Sequence, residues 1–104
     1  MDKLIEINID KIKQLCSNYK VKNLYLFGSA LRRDFNNSSD IDLLLSFLDG
    51  ISIKEYTDNF FELHYKLEEI FGRQIDLITE RSLSNKFFID EVNNSKQLIY
   101  ENQN

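Results

Sequence analysis

Two acidic residues in the first half of the chain are placed to bind a metal ion. Asp40 and Asp42 are separated by Ile41. In a β-strand, residues with this spacing point to the same face, roughly 6.5–7 Å apart along the strand. Two such carboxylates repel each other, and a shared divalent cation offsets that repulsion. We therefore predict that Asp40 and Asp42 bind metal, with Mg²⁺ expected because it prefers oxygen ligands.

A Gly-Ser pair precedes these acids and is suited to holding phosphate. Gly28 and Ser29 follow a short apolar run and are separated from Asp40 by ten residues. Glycine lets a phosphate approach the backbone closely, and the N–H groups that open a turn favour an anion. By itself a Gly-Ser pair is most often a plain turn, and a lone Asp-x-Asp is a common strand cap or surface pair. The prediction depends on the two motifs occurring together.

A third acid, Asp76, lies among apolar residues of the segment 73–79. A lone carboxylate is expensive to bury in such a setting, so we expect a functional reason for its presence. If the strand of Asp76 lies beside that of Asp40 and Asp42, the three acids form one site. Such a site can hold two metal ions near a single reacting phosphate.

The elements that position these residues follow from hydrophobic periodicity. Helical spacing predicts an amphipathic helix that ends before Val21 and carries Cys16 as a small core residue on its apolar face. A long helix is predicted up to Gly72, a typical C-terminal stop. Strands are predicted at residues 23–27, 39–47 and 73–79, with a helix at 84–92 and a short extended end at 97–100. The expected class is α/β or α+β, with a small mixed sheet flanked by helices.

Composition limits the classes of function. The chain has 104 residues, which favours one domain spanning 1–104, and it is 42% hydrophobic. Its net charge of −4 argues against direct nucleic-acid binding or attraction to an acidic membrane. The single Cys16 cannot form an internal disulfide, and neither a signal peptide nor an apolar run of roughly 20 residues is seen. A cytoplasmic location is expected.

The combined motif resembles that of a known family. Gly28-Ser29, ten residues and Asp40-Ile41-Asp42, preceded by "LYLF" and followed by "LLLSF", are similar to the signature of the minimal nucleotidyltransferases. These are small members of the DNA polymerase β-like nucleotidyltransferase superfamily. The similarity continues through "GRQIDLITERSL", where the third acid of the family falls on Asp76, and into the closing "QLIY". The resemblance therefore implies a polymerase β-like nucleotidyltransferase fold.

The resemblance also implies an activity and a role for each residue of the motif. The activity is Mg²⁺-dependent transfer of AMP from ATP to a hydroxyl, with release of pyrophosphate. Asp40 and Asp42 would coordinate two Mg²⁺ ions, and Asp76 would bind the catalytic ion and help deprotonate the acceptor. Gly28 and Ser29 would hold the β- and γ-phosphates. Arg32 either reaches a phosphate or faces solvent. Arg33, where many relatives carry a small or acidic residue, either faces solvent or contacts a partner.

Small members of this family often act as antitoxins beside a HEPN-domain ribonuclease toxin and attach AMP to a tyrosine of that partner. The chain length favours this arrangement, because it leaves no room for an additional substrate-binding domain. The alternative is an inactive antitoxin or scaffold that neutralises its partner by contact alone. A homo-oligomer is left open.

The remaining conspicuous side chains are expected to be structural. His64 lies on the long helix and is predicted to have a surface or interface role. The pairs Phe60–Phe61 and Phe87–Phe88 are predicted to be core residues and not base-stacking platforms, although surplus aromatic residues can also mark an oligomer surface.

Overall fold

Helices and strands alternate along the chain, as the periodicity predicts. The computed structural model describes residues 3–28 and 41–103. In these ranges the elements are α1 (Lys3–Ile7), α2 (Ile9–Asn18), β1 (Val21–Phe27), β2 (Ile41–Phe47), α3 (Ile53–Phe71), β3 (Ile75–Thr79), a 3₁₀ turn (Glu80–Ser82), α4 (Lys86–Ser95) and β4 (Gln97–Glu101).

The four strands form one mixed sheet in the order β3-β2-β1-β4. β1 is antiparallel to both β2 and β4, whereas β2 and β3 are parallel. A parallel pair needs a crossover connection, which α3 provides between β2 and β3. The predicted class, a small mixed sheet flanked by helices, is confirmed.

β2 is a central strand that is covered on both faces. Its residues Ile41, Leu43 and Leu45 are fully buried in the larger core, which includes side chains of α2 and α3. Leu44 points to the opposite face and packs in a smaller cluster with Phe27 and with Val92 of α4. The apolar side chains after Asp42 therefore pack on both faces of the sheet, as expected for a strand covered on two faces.

The chain turns sharply between α3 and β3. α3 begins at its N-cap Ser52, whose side chain accepts a hydrogen bond from the Glu55 N–H at 3.1 Å. It ends at Gly72, which has the left-handed φ of 64° that favours glycine at a helix C-terminus. The predicted stop at Gly72 is confirmed, and β3 begins three residues later at Ile75.

The first segment contains two helices where the periodicity predicts one. α1 ends at Ile7 and α2 begins at Ile9, with Asn8 between them. The Asn8 side chain donates to the Leu4 carbonyl at 2.9 Å. Such local bonds from asparagine to the backbone compete with the regular helix ladder. The apolar spacing continues through this break, so periodicity alone does not reveal it. α2 nevertheless ends before Val21 as predicted.

None of the helices within residues 3–28 and 41–103 is both long and apolar enough to cross a membrane.

Cys16 is the core residue that its spacing predicts, and we expect it to be chemically inert in the native protein. It is fully buried, and burial raises the pKa of its thiol to about 12. Because the thiolate is the reactive form, the native thiol should not react with Ellman's reagent at pH 8. It should react at the rate of a model thiol once urea unfolds the chain. Rapid stoichiometric labelling without denaturant would contradict this burial.

Candidate active site

Two of the three predicted acids lie side by side at the amino ends of adjacent strands. Asp42 is the second residue of β2 and Asp76 the second residue of β3. The parallel register pairs them directly, with Ile41 opposite Ile75 and Asp42 opposite Asp76. Paired residues of neighbouring strands project from the same face, and the strands are about 4.8 Å apart. The adjacency of these two acids, which the sequence analysis assumed, is therefore observed.

Gly28 lies directly against this pair. Phe27 is the register partner of Asp42 across β1 and β2, and Gly28 follows it with a φ of 72°. A Cβ atom placed on Gly28 would overlap the Asp42 carboxylate, its nearest atom being Oδ2. Only a residue without a side chain lets the backbone and the carboxylate come this close. The structure thus brings Gly28 of the Gly-Ser pair next to Asp42 of the Asp-x-Asp motif.

The other predicted site residues fall outside the described part of the chain. Ser29, Arg32 and Asp40 all lie between residues 28 and 41, as does Arg33, and their predicted roles stay predictions. Within residues 3–28 and 41–103, no three His, Cys, Asp or Glu side chains are grouped closely enough to hold a metal ion. The described part contributes the pair Asp42 and Asp76 to the candidate site.

The two acids differ in exposure. Asp42 is partly buried, whereas Asp76 is exposed even though its neighbours Ile75 and Leu77 are buried. Asp76 is therefore not buried among its apolar neighbours, contrary to the expectation from the sequence. Alternation along the strand places the apolar neighbours in the larger core and the acid on the opposite face of the sheet, where it is exposed at the amino end of β3. A solute can consequently reach Asp76 directly.

α3 contacts the start of β3 through two polar side chains. His64 donates a hydrogen bond from Nε2 to the carbonyl oxygen of Ile75 at 2.7 Å. Glu68, which the sequence analysis overlooked, accepts one from the Ile75 N–H at 3.0 Å. The available signal was the spacing of four residues between His64 and Glu68, which puts both on one helix face shortly before the Gly72 stop. His64 thus lies at an interface within the chain.

The aromatic pairs divide between core and surface. Phe60 is partly buried against the core, but Phe61 is 64% exposed. Phe88 packs edge-on against Phe27, with ring centroids 6.1 Å apart, whereas Phe87 is 85% exposed. The prediction that both pairs are core residues is wrong for Phe61 and Phe87, and also for Phe88, which is 38% exposed despite its contact with Phe27. Consecutive helix residues point about 100° apart, so two neighbours cannot both face the sheet.

A groove of about 1010 Å³ opens at the opposite ends of β2 and β3. Its lining includes Ser46, Tyr56, Thr79 and Arg81, but not Gly28, Asp42 or Asp76. The groove is therefore separate from the acidic pair.

The described residues thus place a glycine turn against a pair of strand carboxylates in a mixed sheet, as the sequence motif predicts for a nucleotidyltransferase. Comparison with protein families agrees, since residues 10–104 match the family described as "Polymerase beta, Nucleotidyltransferase". This chain belongs to that nucleotidyltransferase family, and the resemblance seen in the sequence is confirmed.

Individual relatives give more specific information. A candidate protein adenylyltransferase of Methanocaldococcus jannaschii is 34% identical over 88 residues, covering 85% of this chain and 84% of the relative. Among solved structures, a toxin-antitoxin with AMP-PNP matches with a TM-score of 0.68 and 26% identity, over 92% of this chain and 75% of that one. A complex of a tri-AMPylated Shewanella oneidensis HEPN toxin with an MNT antitoxin matches with a TM-score of 0.63 and 25% identity, over 94% and 73%.

Proposed function

We propose that this protein transfers AMP from ATP to a tyrosine hydroxyl of a HEPN-domain partner and acts as the antitoxin of that pair. The observation that carries the proposal is the placement of Asp42 beside Asp76, with the Gly28 backbone against Asp42. The relatives support the choice of reaction, since one binds AMP-PNP and another is found with an AMPylated HEPN toxin.

The acidic pair fits a hard divalent cation. Carboxylates on adjacent paired strands offer oxygen ligands of the kind that Mg²⁺ prefers, and a cation offsets their mutual repulsion. We propose that Asp40 joins Asp42 and Asp76, so that the three acids hold two Mg²⁺ ions. When bound, the ions supply Lewis-acid stabilisation of the charge on the phosphates and on the leaving group. This positive charge matters because the chain itself has a net charge of −4.

The residues around the acids bind and orient ATP. Gly28 has no side chain to hold a phosphate away from the backbone, and we assign Gly28 and Ser29 to the β- and γ-phosphates, with Arg32 as a further phosphate contact. Held in this way, the triphosphate would present its α-phosphorus to the side of the site where the Asp76 carboxylate is exposed. Orientation of both reactants contributes strongly to rate in such transfers.

We propose that Asp76 acts on the hydroxyl group of the acceptor tyrosine. Its exposed carboxylate can be reached by a tyrosine side chain of a second protein. We propose that Asp76 accepts the phenolic proton as the tyrosine oxygen attacks the α-phosphorus. The new oxygen–phosphorus bond forms while the bond to the bridging oxygen of pyrophosphate breaks. The products are an AMP-tyrosine ester and pyrophosphate.

A single domain spanning 1–104 suffices for this chemistry if the partner supplies acceptor specificity. Use of ATP and the presence of one buried free cysteine suit a cytoplasmic protein.

Label transfer to the partner tests this function. The purified protein is incubated with [α-³²P]ATP, Mg²⁺ and a HEPN-domain protein from the same organism. We expect label on the partner, release of one pyrophosphate per AMP, and no label when the acceptor tyrosine is replaced by phenylalanine. Neutralisation of the partner without any label would instead identify an antitoxin that acts by contact alone.

A further inference from the structure

The outer edge of β3 is closed by α3 at one residue, Ile75. Its N–H donates to Oε2 of Glu68 at 3.0 Å, and its carbonyl oxygen accepts from Nε2 of His64 at 2.7 Å. The two side chains also approach each other, with His64 Nε2 and Glu68 Oε2 3.5 Å apart. Both backbone groups of this residue are therefore bonded to side chains of a single helix.

The geometry of a parallel strand explains why Ile75 receives these contacts. The N–H and C=O groups of one residue point to the same side of a strand, and successive residues alternate. The Gln74 carbonyl faces β2 and accepts from the Ile41 N–H at 3.4 Å. Ile75 therefore faces away from β2, and among the described strands β3 is the last on that side of the sheet. Its backbone groups need partners from elsewhere, and α3 provides them.

The His64 contact acts directly on the residue that follows, whereas the Glu68 contact holds the peptide plane that precedes Ile75. The carbonyl of Ile75 lies in the same rigid peptide plane as the nitrogen and Cα of Asp76. Fixing that plane from the α3 side, while the β2 ladder fixes the strand from the other, limits the direction in which the Asp76 side chain leaves the backbone. We infer that His64 and Glu68 are positioning residues that aim the Asp76 carboxylate at the metal shared with Asp42. The inference rests on the metal-binding role proposed above for Asp76.

α3 does not depend on these two groups to remain packed. His64 directly follows Leu63 and Glu68 directly follows Leu67, and both leucines are fully buried in the core. Ile75 itself is 2% exposed. Removing the polar contacts should therefore leave the helix and strand in place and chiefly loosen the peptide before Asp76.

The test is the affinity of the full-length protein for Mn²⁺, measured by electron paramagnetic resonance without nucleotide. His64→Leu and Glu68→Leu should each weaken binding about tenfold or more, since groups that orient metal ligands typically contribute 10–100-fold. His64→Gln keeps a donor and Glu68→Gln keeps an acceptor, so both should bind Mn²⁺ nearly as the wild type does. The rate of AMP transfer should follow the same order.

Asn59→Leu is the matched control. Asn59 lies on the same helix and donates from Nδ2 to the Tyr19 carbonyl at 3.0 Å. This is also a half-buried bond from a side chain of α3 to the backbone, but it does not involve β3. It should lower the melting temperature without changing the Mn²⁺ affinity.

Unchanged Mn²⁺ affinity in both leucine variants would overturn the inference, as would a wild-type protein that does not bind Mn²⁺. Mn²⁺ binding that depends on His64 and Glu68, in a protein that transfers no AMP, would sustain the inference and reject the proposed function.

Discussion

Asp42→Asn should lower AMP transfer about a thousandfold or more, equivalent to roughly 4 kcal/mol of transition-state stabilisation. Asparagine has nearly the size of aspartate but lacks its charge. Asp42 is the partly buried member of the acidic pair. Its carboxylate lies against Gly28, and it is the register partner of Asp76. If Asp42 binds metal as proposed, loss of its charge removes a ligand from the site beside Gly28. The measurement is the initial rate of label transfer at saturating ATP.

Asp90→Asn provides the control for this substitution. Asp90 is an exposed carboxylate on α4 that belongs to none of the strands, and its replacement makes the same change in net charge. Its transfer rate should equal that of the wild type, and thermal melts should show that both variants fold. A near-normal rate in Asp42→Asn would exclude Asp42 as a required metal ligand.

Gly28→Ala should reduce transfer about a hundredfold, because a displacement of about 1 Å at a reacting centre can have an effect of that size. The new methyl group would overlap the Asp42 carboxylate, so that the acid or the turn must move. The φ of 72° adds strain of about 1–2 kcal/mol for a residue with a side chain. We therefore expect reduced activity together with a lower free energy of unfolding, measured by urea denaturation.

Gly50→Ala separates the two effects. Gly50 also has a left-handed φ, of 86°, but a Cβ placed on it meets no atom within 4 Å. This variant should lose about 1–2 kcal/mol of stability from backbone strain and retain full transfer activity. Equal transfer rates in the two alanine variants would show that contact between Gly28 and Asp42 is irrelevant to the reaction.

The sequence predicted those elements whose signals are local. The apolar run after Asp42 indicated a strand covered on both faces, and Gly72 indicated the end of α3; both are confirmed. The pairing of Asp42 with Asp76 depends instead on the register between strands that are separated by a long helix. No local pattern encodes that register, so the proximity of the two acids could only be assumed from the sequence.

The predictions from the sequence that were wrong or missing have related causes. The apolar neighbours of Asp76 suggested burial, because sequence composition does not show that the acid points away from the larger core and is exposed at the end of the strand. Adjacent phenylalanines at Phe87 and Phe88 suggested core, although only Phe88 reaches Phe27. The contacts of His64 and Glu68 with Ile75 require the docked arrangement of α3 and β3, and therefore appear only in the folded chain.

A crystal structure with Mn²⁺ and a non-hydrolysable ATP analogue tests the central claim most directly, since anomalous scattering locates the metal. We expect Mn²⁺ coordinated by the carboxylates of Asp40, Asp42 and Asp76, with the triphosphate against the backbone at Gly28 and Ser29. Metal bound elsewhere, or an Asp76 side chain that points away from a metal on Asp42, would contradict the proposed site.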